Sequence, residues 1–324
     1  CDEVYKYSLA RYALLIHNTL QSNKSLDDIN NNIFSTTLEK LKPKAKQNID
    51  VSTATNPQMK ARAYHRYLYA YCNYIAGNKI METNDVEKAG IYYKEAFDYS
   101  PDISDILHRH GFAYDMHMLG IKDFDLFKKK YIEYAEQHLK DMNKSLTART
   151  SMALIHPVQY KDELESFYKE NFTDVIPFSE YWYDNVNKNS EEIPEFILID
   201  EDGKEFSRKT NQGKWIFLDF WGTWCGPCIA EHPDLEDFYT NTIKSNSDKI
   251  ILLTIGCHDT KEKINAHMQK HSYTFPVMME NNDIQNLLNI KSWPTKLLIT
   301  PQGKYVSIPF AIDWRTFIKK YVGI

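Results

Sequence analysis

The residues whose type and spacing most directly indicate chemistry are two cysteines, Cys225 and Cys228. They lie in the stretch WGTWCGPC, with only Gly226 and Pro227 between them. Two cysteines at this spacing can form a redox-active disulfide, contribute half of a metal site or act as a structural staple. The other cysteines and the surrounding elements distinguish these three possibilities.

A metal site is disfavoured because the other cysteines do not supply ligands. A structural zinc site needs four ligands, usually from a second Cys-x-x-Cys or a histidine pair. Cys1, Cys72 and Cys257 are isolated, and the motif CHD at 257–259 lacks ligand spacing. We therefore predict no metal, and we expect Cys72 and Cys257 to be inert core thiols. Five cysteines in 324 residues are also too few for a disulfide-stapled scaffold.

The cysteine pair is predicted to lie between a buried strand and a helix. The run KWIFLDFW (214–221) is continuously apolar, as in a central strand buried on both faces, and the pair opens the helical stretch GPCIAEHPDLEDFYTNTI. EFILID, the Asp-Gly turn EDGK and EFSRKT predict a hairpin before it. Further strands are predicted at 249–257, 275–280, 293–300 and YVSIPF, and further helices at about 260–271, near 282–289 and from about 313. This alternation implies a parallel or mixed sheet covered on both faces.

Residues 1–186 carry helical periodicity and predict an all-α domain. The polar stretch VNKNSEE (186–192) marks the boundary, and residues 190–324 form the second predicted domain. The Asn- and Lys-rich segment 26–58 is expected to contain a long loop. Further on, tyrosines recur at steps of three, four and three on one face of a helix. These are Tyr64, Tyr67, Tyr71 and Tyr74.

The segment IAGNKIMETNDVEKAGIYYKEAFDYSPD resembles a tetratricopeptide repeat. Gly77 in its first helix, and Ala89 and Ala96 around Tyr93 in its second, let two helices approach closely. Gly111 follows Gly77 by one period of about 34 residues, although the second unit departs from the pattern. The resemblance implies a concave surface that grips a partner protein. The alternative, which we favour, is a helical cap whose tyrosines pack its own core.

Composition and charge exclude several classes of protein. With 43% hydrophobic and 26% charged residues, the chain is typical of a soluble globular protein. The formal charge of −5 gives no electrostatic reason to expect a nucleic-acid partner. The first apolar stretch, Val4–Leu20, is interrupted by charged residues and predicts an amphipathic helix instead of a membrane span.

The sequence begins at Cys1, which resembles the mature amino terminus of a bacterial lipoprotein, where the thiol carries diacylglycerol. This resemblance implies an extracytoplasmic protein, anchored by acyl chains to a bacterial membrane on the periplasmic side or at the cell surface. The alternative is a sequence boundary that falls on a cysteine by chance.

Several spaced motifs of the second half resemble the thioredoxin superfamily. FLDFWGTWCGPC is followed by FPV, by WPT before an apolar strand and by PQGK, over about 190–324. More closely, they resemble its membrane-tethered extracytoplasmic reductases of the TlpA/ResA type. The resemblance implies an α/β thioredoxin-like fold and a thiol–disulfide oxidoreductase that acts on disulfide-bearing proteins. It implies an unidentified membrane electron donor, and no cofactor beyond the Cys225–Cys228 disulfide itself.

The position of the pair suits thiol–disulfide exchange, in which the thiolate attacks. Unpaired N–H groups and the dipole at a helix N-terminus favour negative charge at Cys225. Two intervening residues put Cys228 one turn into the same helix, so we assign Cys225 as the nucleophile and Cys228 as the resolving thiol. Gly-Pro between them is the dipeptide of thioredoxin, a reductant at about −270 mV against about −120 mV for the oxidant DsbA. The analogy implies a reductase.

Two acidic residues are assigned by the same resemblance. Asp219 matches the buried aspartate of thioredoxins, although the TlpA/ResA branch often has Asn there. In an apolar strand its pKa should be raised, which suits it to take the proton from Cys228. The alternative is a carboxylate that only forms hydrogen bonds at a strand end. Glu231 matches a glutamate that the extracytoplasmic reductases place near their disulfide, and its alternative is an ordinary exposed helix residue.

The resemblance also implies a peptide-binding groove beside the disulfide. Pro294 matches the cis-proline opposite the active site, where the backbone of the preceding residue pairs with the substrate strand. Trp224 and Trp293 would flank the groove, the alternative being two aromatic residues of the core. The expected substrate-binding set is Trp224, Gly226, Pro227, Trp293 and Thr295.

Two functions remain open at this stage. The first is a lipid-anchored enzyme that reduces protein disulfides outside the cytoplasm. The second is a binding scaffold, in which the helical half grips a partner and the second domain is secondary.

Overall fold

The chain divides into two compact units, Cys1–Val175 and Ile176–Ile324. The predicted domain limits, 1–186 and 190–324, stay predictions. The computed structural model describes residues 27–51, 53–106, 123, 125–173, 175–200, 203, 205–207, 211, 213–279, 282–288, 290–310 and 312–324. Within these ranges, no helix combines the length and the apolar character that a bilayer crossing needs. Cys1 and the predicted amphipathic helix Val4–Leu20 lie outside them.

The described part of the first unit is helical, as the sequence predicts. Its helices are α1 Asp27–Ala45, α2 Asn56–Glu82, α3 Val86–Asp98, α4 Ile103–Ile106, α5 Leu126–Tyr134, α6 Met142–Ile155 and α7 Pro157–Asn171, with a π-helical turn Ala135–Leu139 after α5.

Helix α1 occupies most of the segment 26–58, which was expected to contain a long loop. Apolar residues recur along it at helical spacing and pack with residues of α2 in one core cluster; they are Phe34, Leu38, Leu41 and Ala45. Exposed Asn and Lys side chains cover another face of α1. The composition of this segment therefore concealed an amphipathic helix, and the loop is confined to the residues between α1 and α2.

The predicted tyrosine face lies inside the helical unit. Tyr64, Tyr67 and Tyr71 are buried, and Tyr74 packs partly buried against the same cluster. This burial agrees with the alternative in which the tyrosines pack the unit's own core.

The small residues of α2 and α3 bring these helices close together. A Cβ added at Gly77 would lie 2.6 Å from Cε1 of Tyr93, so only glycine fits against that ring. Ala89, Tyr93 and Ala96 form a buried face of α3. The tetratricopeptide assignment stays a prediction, and its second-unit glycine, Gly111, lies outside the described residues.

The second unit is a mixed sheet with helices. Its strands are β1 Glu191–Glu192, β2 Ile197–Asp200, β3 Glu205–Ser207, β4 Trp215–Trp221, β5 Ile250–Gly256, β6 Val277–Met279, β7 Thr295–Ile299 and β8 Lys304–Ile308. Its helices are α8 Phe178–Lys188, α9 Gly226–Phe238, α10 Lys261–His271, α11 Asn282–Leu287 and α12 Trp314–Val322. The predicted alternation of strands and helices is confirmed.

The sheet order is β1-β8-β7-β4-β5-β6-β2-β3. Strands β4, β5 and β6 run parallel, whereas β7 is antiparallel to β4. Strands β2 and β3 form the predicted hairpin. Every residue of β4 is buried, as its continuous apolar run predicts.

This topology brings three loops to one edge of the sheet. The carboxyl ends of β4 and β5 lie there, and so does the amino end of β7, because β7 runs in the opposite direction beside β4. The cysteine pair follows β4, the CHD motif follows β5, and the WPT motif precedes and enters β7. The central strands thus position every loop of the candidate site.

Candidate active site

Cys225 and Cys228 form a disulfide at the start of α9. Their Cα atoms are 5.3 Å apart and their sulfurs 1.98 Å apart. Cys225 is the N-cap of the helix, and its Sγ accepts a hydrogen bond from the Cys228 backbone N–H at 3.3 Å. Both residues are nearly inaccessible, at 4% and 2% exposure. The two cysteines therefore do not differ in exposure. They differ in position, because Cys225 is the N-cap and Cys228 lies inside the first turn of the helix.

An aromatic pair lies beside the disulfide. Trp224 is 51% exposed, and its ring meets that of Trp293 edge-on, with centroids 5.3 Å apart. Gly226 and Pro227 are exposed, while Trp293 is half-buried. The two tryptophans predicted to flank the groove are thus close to each other, and Trp224 is not a core residue.

The WPT loop has the backbone form that the resemblance implies. The peptide bond between Trp293 and Pro294 is cis. Pro294 and Thr295 are half-buried, and the Thr295 hydroxyl donates to the Ser292 carbonyl at 2.7 Å. The catalytic and binding roles assigned to these residues stay predictions.

Asp219 lies in a buried charge cluster behind the disulfide loop. The antiparallel register of β4 and β7 sets it opposite Lys296, whose Nζ lies 3.1 Å from Asp219 Oδ1 and 2.5 Å from Glu231 Oε2. The side chains of Asp219 and Lys296 are 4% and 7% exposed. Glu231 is half-buried in this ion pair, so it is not the ordinary exposed helix residue of the alternative.

Burial and ion pairing have opposite effects on the pKa of each member of this pair. Burial raises the pKa of Asp219, and the Lys296 ammonium opposes that shift. Burial lowers the pKa of Lys296, but Asp219 and Glu231 outweigh this, and its net shift is upward. Lys296 therefore stays charged, while Asp219 holds a proton more readily than an exposed aspartate.

Sequence reasoning missed Lys296. The signal was a lysine inside the apolar run WPTKLLIT, where a charge needs a partner. Its partners are 77 and 65 residues away in sequence, so the register of β4 and β7 was needed to identify them.

Sequence reasoning also missed His232, one turn beyond Cys228. Its ring is buried against Trp221, with centroids 4.4 Å apart, and its Nδ1 lies 2.9 Å from His267 Nε2. Burial, followed by the effects of His267, Lys296 and His271, lowers the pKa of His232 to about 3. The folded protein thus holds this imidazole neutral.

We expect His232 to make the fold acid-sensitive. The unfolded chain binds a proton at this histidine below pH 6.5, and the folded chain does so only near pH 3. The free energy of unfolding therefore decreases as pH is lowered from 6.5 to 3. The loss at pH 4 amounts to about 3 kcal/mol, since one pKa unit corresponds to about 1.4 kcal/mol. Urea unfolding at pH 7 and pH 4 measures it, and His232→Gln should reduce the difference. His138→Gln, at an exposed histidine of the first unit, is the control; equal pH dependence in both variants would refute the assignment.

No cluster of three or more His, Cys, Asp or Glu side chains suited to a metal ion occurs in the described part of the chain.

A disulfide that starts a helix at the edge of a mixed sheet, at the same edge as a cis-proline loop, defines the thioredoxin-like class. Residues 213–305 match the family described as thioredoxin-like. The chain is 29% identical over 142 residues to thiol-disulfide oxidoreductase ResA of Bacillus subtilis (strain 168), covering 44% of this chain and 77% of that protein. It is 31% identical over 130 residues to ResA of Geobacillus thermodenitrificans (strain NG80-2), covering 40% and 73%.

The chain belongs to the ResA family of thiol-disulfide oxidoreductases, through its second half. Among solved structures, a thiol:disulfide interchange protein from Bacteroides sp. matches 42% of this chain and 90% of its own length, with 21% identity and a TM-score of 0.37. The predicted fold class, an all-α region followed by an α/β thioredoxin-like fold, is confirmed, as is the oxidoreductase activity class.

Proposed function

We propose that this protein reduces the disulfides of extracytoplasmic proteins, with Cys225 as the attacking sulfur and Cys228 as the resolving sulfur. The observation that carries the proposal is that Cys225 caps α9 and accepts the Cys228 N–H. A thiolate at Cys225 would accept the same N–H at the positive end of the helix dipole, which favours the thiolate over the thiol. The Gly-Pro dipeptide supports the reductive direction by analogy with thioredoxin.

The reaction consists of two exchanges. The Cys225 thiolate attacks one sulfur of the substrate disulfide; a mixed disulfide forms, the substrate S–S bond breaks, and the other substrate sulfur leaves as a thiolate. Cys228, once deprotonated, attacks the Sγ of Cys225, so that the enzyme disulfide forms and the first substrate sulfur leaves. Two electrons pass from the cysteine pair to the substrate.

Asp219 is the proposed acceptor of the Cys228 proton. Its raised pKa brings it closer to the pH at which a proton acceptor is effective. The Lys296 ammonium would favour the ionised form of Asp219 until the proton of Cys228 is transferred to it. Glu231 forms a second ion pair with the same ammonium.

The surface beside the disulfide is the proposed binding site for the substrate chain. Pro294 would present the backbone of Trp293 to an extended substrate segment, and the exposed Trp224 ring offers apolar contact area next to Cys225. Gly226, Pro227 and Thr295 complete the proposed contact surface.

The electron donor and the location belong to the same proposal. A membrane dithiol donor would return two electrons to the Cys225–Cys228 disulfide and release the enzyme in its reduced form. The extracytoplasmic location follows from the resemblance to the tethered reductases, whereas the lipid at Cys1, which lies outside the described residues, stays a prediction.

The scaffold hypothesis has less support. It depended on the tyrosine face of α2, but Tyr64, Tyr67 and Tyr71 are buried in their own unit and therefore do not offer a surface to a partner.

We expect a Cys228→Ala variant to accumulate covalent complexes with its substrates. Without the resolving sulfur, the mixed disulfide at Cys225 persists, so substrate proteins co-purify until a reductant is added. The measurement is non-reducing electrophoresis and mass spectrometry of the reduced variant after mixing with cell-envelope proteins.

The double variant Cys225→Ser/Cys228→Ala is the matched control, because it lacks both sulfurs and should form no complexes. Stable non-covalent partners without any mixed disulfide would contradict the enzyme and favour the scaffold. Complexes that survive in the double variant would show that another thiol reacts.

A further inference from the structure

The CHD motif at 257–259 lies against the loop that leads into the disulfide. The Cys257 N–H donates to the Trp221 carbonyl at 2.7 Å, and the Trp224 indole N–H donates back to the Cys257 carbonyl at 2.9 Å. Asp259 Oδ2 accepts both the N–H and the hydroxyl of Thr223, each at 2.6 Å. Cys257 and Asp259 thus hold the last residue of β4 and two residues of the loop that leads to the cysteine pair.

Gly222 shows how closely the two loops approach. A Cβ added there would lie 2.4 Å from Trp224 Nε1 and 2.8 Å from the Cys257 carbonyl oxygen. Only glycine leaves room for the indole to reach that carbonyl. The position of the Trp224 ring is therefore determined by the Cys257 backbone and by the absence of a side chain at 222.

The His258 ring lies beside those of Trp224 and Trp293, and the three rings together form an aromatic surface. The φ of 51° at His258 is in the left-handed region, which costs a non-glycine residue about 1 kcal/mol or more. The strain is sustained because its two neighbours, Cys257 and Asp259, are both held by hydrogen bonds. Its ring centroid lies 5.1 Å from that of Trp293 and 6.3 Å from that of Trp224.

We propose that residues 257–259 are a positioning device for the aromatic surface that contacts substrate, with Asp259 as its principal positioning residue. The proposal rests on the proposed function, because it assigns these residues to the binding of protein disulfides and not to sulfur exchange. Asp259 fixes Thr223, the Cys257 carbonyl fixes the Trp224 indole, and His258 borders Trp293. A rigid aromatic surface loses little conformational freedom when an apolar substrate side chain packs on it. The substrate class is therefore an extended chain with an apolar residue beside its cysteine.

The test compares Asp259→Ala and Asp259→Asn in the full chain with two substrates. Insulin presents a disulfide within a polypeptide, whereas 5,5′-dithiobis(2-nitrobenzoate) presents one without a chain. Asp259→Ala should raise the KM for insulin by about tenfold with kcat within about twofold, as expected for the loss of hydrogen bonds to a carboxylate. Its rate with the small disulfide should not change. Asp259→Asn keeps an acceptor oxygen and should restore the KM.

Asp248→Ala is the control, because Asp248 is an exposed aspartate that precedes β5, at the opposite end of that strand from Asp259. An unchanged KM for insulin in Asp259→Ala would overturn the proposal. An equal loss of activity with insulin and with the small disulfide would overturn it as well. The first would show that Asp259 does not affect binding, and the second that it acts on the whole fold.

A second readout separates this proposal from the proposed function. In protein labelled with ¹⁵N-tryptophan, the Trp224 indole N–H, assigned with Trp224→Phe, should be protected from solvent exchange and should lose that protection in Asp259→Ala. If wild type reduces neither disulfide, the proposed function fails, while exchange still reports on the positioning. Unchanged protection in Asp259→Ala would overturn the positioning by itself.

Discussion

Replacing Cys225 with serine is expected to lower the rate of protein disulfide reduction by about a thousandfold or more. A hydroxyl at position 225 is not ionised at neutral pH and cannot form the mixed disulfide, so the first exchange does not take place. The remaining thiol, Cys228, is one turn inside α9 and lacks the N-cap position. The measurement is insulin reduction with dithiothreitol as the dithiol donor.

Cys72→Ala is the matched control, because it removes a buried thiol from the first unit and should leave the rate unchanged. Thermal unfolding of both variants verifies that each is folded. A Cys225→Ser protein as active as wild type would refute the assignment of the nucleophile.

Equilibration of wild type with glutathione buffers tests the direction of electron transfer. A midpoint potential near the value of about −120 mV for DsbA would contradict a reductase.

Replacing Lys296 with methionine is expected to destabilise the protein by about 3 kcal/mol or more at pH 7, because it leaves the buried Asp219 carboxylate without a cation. Methionine has a similar length and keeps the packing beside β4. Asp219 would then respond to burial alone, which raises its pKa further. Urea unfolding measures the stability, and insulin reduction should slow as well, because an Asp219 that holds its own proton more readily is a poorer acceptor for the Cys228 proton.

The pH dependence of the stability loss in Lys296→Met distinguishes an unpaired carboxylate from lost packing. A carboxyl group whose pKa is raised in the folded state contributes stability at low pH and loses it as pH rises through the folded pKa. The deficit of Lys296→Met relative to wild type should therefore shrink as pH falls below 7. A deficit that is independent of pH would show that lost packing, and not an unpaired carboxylate, causes the destabilisation.

A double variant, Asp219→Asn/Lys296→Met, is the control for the charge pair. It removes both buried charges, and replacing a whole buried ion pair costs far less stability than removing one partner. We expect it to recover most of the stability lost in Lys296→Met but to remain slow in insulin reduction, because the amide side chain introduced in place of Asp219 takes no proton. Full activity in the double variant would rule out Asp219 as the proton acceptor.

Local patterns in the chain predicted the strands and helices of the second unit, and the resemblance of its motifs to the thioredoxin superfamily implied the redox disulfide and the cis-proline. Each central strand is a short continuous apolar run between polar residues, so KWIFLDFW differs from the observed Trp215–Trp221 by one residue. The cysteine pair, the glycine and proline between them and the cis-proline all belong to contiguous motifs. Burial on both faces and the start of a helix are local properties that such motifs express directly.

Composition misled the prediction where a periodic signal was weak. The segment that holds α1 was expected to contain a long loop and no helix was predicted in it, because its Asn and Lys residues outnumber the few apolar positions that pack on α2. Only the presence of that second helix gives the apolar stripe of α1 a surface to cover, and tertiary packing supplies most of the stability of such a helix.

Contacts between distant segments were decided by packing alone. The strand register joins Lys296 to Asp219, the approach of α10 to α9 joins His232 to His267, and the loop after β5 joins Asp259 to Thr223. Each of these pairs is separated by 35 residues or more in sequence, and no local pattern encodes which partner a buried charge or a loop carboxylate will meet. The chemistry of the two sulfurs can be predicted from the eight consecutive residues 221–228. The charged and aromatic side chains around them are brought together only by the tertiary structure, because their contacts depend on strand register and helix packing.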